Sequence, residues 1–191
     1  MLLRALPVHE PERLINLSAP GPKPGSTTCN QAGDCDVIFS YPMYRDLERA
    51  ELPVTLAAHR TFGASLAFDQ QSLGGEAAMV SGSYFSVLGV RPTLGRLIGQ
   101  GDDETIGGHP VAVLSHAFWE TNFGGDPAVL GRQIVVNGTS MTIIGVAAPG
   151  FQGTTLGSRP LVFVPISMRA QMNPGWEGFE NRRNYWVYAF A

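Results

Sequence analysis

Apolar and polar residues alternate along this chain over short spans, and turn residues interrupt them often. Arg13 to Leu17 predicts a first strand, followed by a Pro/Gly/Ser-rich loop from Ala19 to Asp36. Ser40 then precedes a segment in which Tyr41, Tyr44 and Leu47, and also Met43, Leu47 and Ala50, recur at helical spacing. Ser is a favoured N-cap and Pro42 fits a first turn, so a short amphipathic helix is predicted that stops before Pro53. Val54 to Val80 reads as strand, with turns expected at Gly63 and at Gly74-Gly75. Ser83 to Leu88 predicts a short capped helix with Tyr84, Phe85 and Leu88 pointing inward. Pro110 to Leu114 predicts a buried strand. Ser115 then caps a second aromatic helix carrying Phe118, Trp119 and Phe123, which Gly124-Gly125 ends.

Asp126-Pro127 through Gly131 reads as a miniature helix with its own cap, first-turn proline and terminal glycine. Gln133 to Val136 and Thr139 to Val146 flank Asn137-Gly138, the strongest short hairpin signal, because both turn positions need positive φ. Leu161 to Val164 and Tyr185 to Phe190 predict two further strands. The last runs into the end of the sequence, from which a cut domain is expected, with apolar surface and an unpaired edge left bare around it.

Composition narrows the class. Hydrophobic residues make up 44% and charged residues 15%, against roughly 25% charged in an average domain. The formal net charge is −3. Low hydrophobicity and high charge are both missing, so intrinsic disorder is excluded. Thirteen Lys and Arg against sixteen Asp and Glu leave no cation surplus for a general nucleic-acid binder. The longest uncharged stretch, Gln133 to Ser158, is broken by glycines and Pro149 and does not read as a membrane span. Met1 to Pro7 is too short for a signal h-region, so the sequence reads either as cytosolic or as a piece of something longer.

Candidate chemistry is sparse. Pro22-Lys23-Pro24-Gly25-Ser26-Thr27 lacks the Gly-Lys-Ser/Thr order of a phosphate loop, and its prolines donate no N–H. His9, His59, His109 and His116 stand singly, without ligand spacing, and Ser115 is better used as a cap than as a nucleophile for its neighbour. Asp102-Asp103-Glu104 is followed by no later carboxylate for a Ca²⁺ loop, and it reads as a solvated turn. Tyr84, Phe85, Phe118 and Trp119 read as core rather than as a stacking platform. No catalytic, cofactor or metal residue is assigned. Cys29 and Cys35, with five residues between them in a polar loop containing Gly33, fit neither a zinc site nor a two-residue redox spacing. A disulfide is favoured over two free thiols, and it implies an oxidising compartment.

Three segments together carry a resemblance. The first is Val80-Ser81-Gly82-Ser83-Tyr84-Phe85 through Leu88-Gly89-Val90-Arg91-Pro92 to Gly95-Arg96. The second starts at Val111 to Ser115 and passes through Trp119, Phe123 to Pro127, Val129 to Arg132 and Asn137-Gly138. It ends with Thr142 to Val146 and Pro149 to Phe151. Ahead of both lies Phe39-Ser40-Tyr41-Pro42-Met43-Tyr44-Arg45-Asp46-Leu47. In this order they resemble the MacB-like periplasmic core domain of FtsX/MacB-type ABC transporter permeases. The resemblance implies an α+β fold, with a porter-like α/β subdomain and a small β-rich subdomain inserted into it. Residues 1–90 would form the first part of the porter-like subdomain, residues 91–180 the insert, and residues 181–191 the returning strand of a truncated porter-like subdomain whose remaining helix and strand are missing.

The resemblance also implies a non-catalytic periplasmic domain of a cytoplasmic-membrane protein, relaying transmembrane motion to periplasmic partners or substrate in efflux or export. It implies no cofactor. Its partners would be the membrane-embedded permease helices of the parent chain and a periplasmic adaptor or export substrate. An ATPase subunit would act only indirectly, the parent would be dimeric, and nucleic acid would have no part. The Cys29–Cys35 loop is not part of the general family pattern. The alternatives are a free-standing extracytoplasmic binding module and, more remotely, a secreted hydrolase.

Overall fold

The computed structural model describes residues 8, 10–30 and 35–191. Met1 to Pro7, His9, and Gln31 to Asp34 inside the cysteine loop lie outside the described residues. In chain order the elements begin β1 (Ser26–Thr27), β2 (Ile38–Ser40), α1 (Tyr41–Arg49), β3 (Ala57–Phe68) and β4 (Gln71–Val80). They continue with α2 (Tyr84–Val87), β5 (Pro92–Gly95), β6 (Val111–Leu114), α3 (His116–Phe123), β7 (Gln133–Val136) and β8 (Thr139–Ala147). β9 (Val162–Pro165), α4 (Arg169–Met172) and β10 (Asn184–Phe190) complete the set. The fold is mixed α+β and dominated by its sheet.

The expected caps form. Ser40 Oγ accepts from the Met43 N–H and Ser115 Oγ from the Phe118 N–H. Asp126 Oδ1 accepts from the Ala128 N–H at 2.9 Å, although the segment it caps, Pro127–Val129, is a 3-10 turn. Asn137 and Gly138 adopt φ of 48° and 84° and turn β7 into β8. Ser83 precedes α2 but makes no cap, because its hydroxyl donates instead to the Leu56 carbonyl at 2.5 Å.

Two segments differ from the expectation. Val54 to Val80 contains one long hairpin, not three short pieces. β3 and β4 pair in continuous antiparallel register from His59↔Val80 to Phe68↔Gln71, and the chain reverses at Asp69 and Gln70, both with positive φ. Gly63, Gly74 and Gly75 lie inside the ladder. At Gly75 a Cβ would sit 2.5 Å from Leu161 Cδ1, so this glycine serves a close approach and not a turn. Arg13 to Leu17 is not a full strand. Pro11–Arg13 is a 3-10 turn, and the extended part contributes a single antiparallel bridge, Asn16↔Phe190.

The strands join in the order β1-β10-β3-β4-β9-β6-β8-β5, with β2 also on β10. β7 pairs with β8 and with the far end of β3, so β3, β4, β9, β6, β8 and β7 close a ring of pairings. Period-two alternation sends successive residues to opposite sides. On β4 and β9, Ala77, Met79, Val162 and Val164 join one apolar cluster with Leu66, Phe68, Leu114, Phe118 and Ile134. Ala78, Val80 and Phe163 join a second with Tyr84, Phe85, Leu88 and Phe151. The sheet is therefore buried on both faces, and α2 and α3 deliver their aromatic rings into these clusters as the sequence predicts.

Candidate functional site

The last strand organises one end of the molecule. Its sequence, Asn-Tyr-Trp-Val-Tyr-Ala-Phe, is aromatic and β-branched, as suits a pleated buried surface. All seven residues are buried. The bare edge expected around it is absent, because β10 pairs with β3, β2 and β1 and receives the bridge from Asn16. Ile15 and Ala191 exchange two backbone hydrogen bonds of 2.8 and 3.0 Å, and the Leu17 N–H donates to Ala189 O. Residues 15–17 therefore lie alongside residues 189–191 at this edge.

Side chains reinforce this edge. Arg60, from the middle of β3, donates through Nη1 to the Trp186 carbonyl at 2.9 Å and the Thr28 carbonyl at 2.6 Å. Tyr188 Oη accepts from the Asn30 N–H at 2.8 Å, and Asn30 Nδ2 donates to Thr61 Oγ1 at 2.8 Å. Cys29 and Cys35 are joined by a disulfide, with Cα atoms 5.3 Å apart. The bond pins the loop that carries Thr28 and Asn30 beside β2.

The other singled-out residues are dispersed. His59 is buried among Tyr84, Tyr188 and Phe190, and burial, with the nearby Arg60 charge, pushes its pKa down to about 4. His116 Nδ1 lies 3.3 Å from Glu120 on the surface of α3. Trp119, half-buried, donates from Nε1 to the Asp126 carbonyl. Among the described residues, no three His, Cys, Asp or Glu side chains stand where they could hold a metal ion.

The Asp102-Asp103-Glu104 segment is not a solvated turn. Asp102 forms a two-pronged ion pair with Arg96, at 2.6 and 2.8 Å, and accepts from the Gly99 N–H. Asp103 is 1% exposed. It accepts from the N–H groups of Ser167 and Gly82, and burial pushes its pKa up to about 6 against the opposing effect of those bonds. Both carboxylates therefore fix a loop. Two further residues escaped the sequence reading altogether: Arg60 and Arg169, buried arginines that belong to different elements and meet only in the fold. The one local signal was a charge inside the apolar run that opens β3.

A sheet buried on both faces is fastened at one edge by β10, which also holds residues 15–17, and the singled-out polar side chains are dispersed around it. The chain belongs to the MacB-like periplasmic core domain family, whose model matches residues 8–189. As a member it is a non-catalytic, extracytoplasmic domain. Two solved structures are similar. The periplasmic region of MacB from Actinobacillus actinomycetemcomitans aligns with a TM-score of 0.61 at 16% identity, over 80% of this chain and 64% of that one. The extracellular domain of the noncanonic ABC-type transporter YknZ from Gram-positive bacteria aligns with a TM-score of 0.63 at 17% identity, over 94% of this chain and 83% of that one. The chain thus spans 64% of the length of the first of these structures. No curated protein matches it. No helix among the described residues is long and apolar enough to cross a membrane.

Proposed function

We propose that this domain is the extracytoplasmic core of an ABC transporter permease of the export type. It relays movement of the membrane helices of its parent chain to a periplasmic adaptor or an export substrate. The parent is dimeric, and an ATPase subunit acts on the domain only through those helices. The observation that carries the reading is the family match over residues 8–189, in a sheet whose strand β10 is held among β1, β2 and β3. Rigid elements that shift as bodies suit such transmission.

Within this reading, residues 1–90 and 181–191 form the porter-like part and residues 91–180 the insert. Support comes from β5, β6, β7 and β8, whose pairings are mostly with one another and with β9. The test is a flexible Gly/Ser linker placed ahead of Leu2 in the full permease. ATP hydrolysis should persist while export is lost. Export that survives the linker overturns the relay.

A further inference from the structure

Arg60 and Arg169 are 6% and 5% exposed, yet neither forms an ion pair among the described residues. Other arginines of the chain do: Arg13, Arg45, Arg96, Arg132 and Arg182 each meet a carboxylate. A buried cation without a counter-charge is costly, and two together are more so. Both line one half-open cleft of about 280 Å³, along with Thr28, Thr61, Asn137 and Asn173.

The geometry of Arg169 shows which part of it is left over. Its guanidinium carbon lies 4.0 Å from the ring centroid of Trp186 and 4.4 Å from that of Trp176. The two rings stand nearly perpendicular, at 81°, and hold the cation by their faces without taking its N–H groups, which remain for other partners. None of those N–H groups donates to a protein acceptor among the described residues, and Nε is buried and unpartnered. Arg60 commits Nη1 to the carbonyls of Thr28 and Trp186, and its other nitrogens make no protein hydrogen bond. Burial, with the charge of Arg60 beside it, lowers the pKa of Arg169 to about 9, a penalty that an anion in the cleft would reverse.

We propose that the Arg60–Arg169 cleft is a binding site for a small molecule bearing an oxyanion, of the carboxylate or phosphate class. The guanidinium held against the tryptophans offers its unpartnered N–H groups to two oxygens, Arg60 adds the second charge, and Thr61 and Asn173 border the remainder of the molecule. Charge-assisted, two-pronged recognition of this form is what an arginine held by aromatic rings provides. The site lies against β10 through Trp186, so occupancy would stiffen the same edge that holds residues 15–17. This inference does not depend on the relay reading.

The test uses the domain with inorganic phosphate, succinate and sodium chloride at matched ionic strength. Calorimetric titration should show saturable one-site binding of phosphate or succinate but not of chloride, and the preferred anion identifies the class. In ¹⁵N spectra the Nε–H resonance of Arg169 should shift along the same saturation curve. Arg169→Met keeps an unbranched apolar stem against the two tryptophans and removes the charge. It should bind at least tenfold more weakly and unfold no earlier than the parent without anion. Arg60→Met serves as the second variant if Arg169→Met does not fold. Absence of saturable binding, binding unchanged in a folded variant, or an Arg169 resonance that stays fixed at saturation each overturn the proposal.

Discussion

Asp103 accepts a hydrogen bond from the backbone N–H of Ser167 at 2.9 Å, across 64 residues of chain. The same carboxylate reaches the Gly82 N–H, so one acidic side chain joins the loop after β4, the loop after β5 and the turn after β9.

Burial raises the pKa of Asp103 to about 6, above the ordinary 3.8. The folded chain then holds a proton that the unfolded chain releases, so stability falls as pH rises from about 4 to about 6. The full effect is roughly 3 kcal/mol. Asp103→Asn should remove this slope while keeping one acceptor and the shape of the loop. Denaturant titrations at pH 4 and 7, compared between parent and variant, read it directly.

His59 acts in the opposite sense. Its pKa is lowered to about 4 from 6.5, chiefly by burial, so the unfolded chain binds the proton first. Stability is present above pH 6.5 and is lost as the pH falls toward 4, again by roughly 3 kcal/mol. The two residues largely cancel between pH 4 and 6. His59→Phe should therefore leave a protein that gains stability on mild acidification, and Asp103→Asn one that loses it. Parallel slopes in the two variants would refute this opposition.

Phe163 projects from β9 into the rings of Phe85 and Phe151, with centroids 5.4 and 5.6 Å away. Phe163→Ala should cost about 3–5 kcal/mol, measured as a lower denaturation midpoint with unchanged slope.

The disulfide closes a short ring, for which loop entropy gives about 2 kcal/mol. Reduction, or the double change Cys29→Ser with Cys35→Ser, should lower stability by that amount. Exchange protection should fall first in β1 and β2. A uniform loss across the ring of strands would show that the bond does more than fasten its own edge.

Gln70 holds φ of 63° at the tip of the β3–β4 hairpin. Gln70→Gly should raise stability by about 1 kcal/mol, because only glycine adopts that backbone without steric cost.

How much was legible follows from how local each cause is. The caps of α1 and α3, the Asn137-Gly138 turn and the aromatic faces of α2 and α3 depend on neighbours within a few residues, and the sequence shows them. The Asp69-Gln70 turn carries no glycine, while Gly75, which imitates a turn in the sequence, instead makes room for Leu161. The burial of Asp103 depends on Gly82 and Ser167, and the Arg60–Arg169 cleft depends on strands and helices far apart in the chain. No spacing encodes such meetings. The last strand looked exposed for a related reason: its covering partners, β1 and Asn16, come from a loop and a segment with weak patterns of their own.

The hydrogen bonds between Ile15 and Ala191 set how the domain yields under load. Antiparallel neighbours pulled apart from a shared end open one rung at a time, whereas strands dragged past each other must break many rungs at once. A pull that separates Ile15 from Ala191 would meet this ladder at its weakest orientation and peel it from Ala191 inward while the closed ring of strands stayed whole. Within this edge the pairing of residues 15–17 is the first to yield to a pull applied at Ile15, and the closed ring of strands is the last.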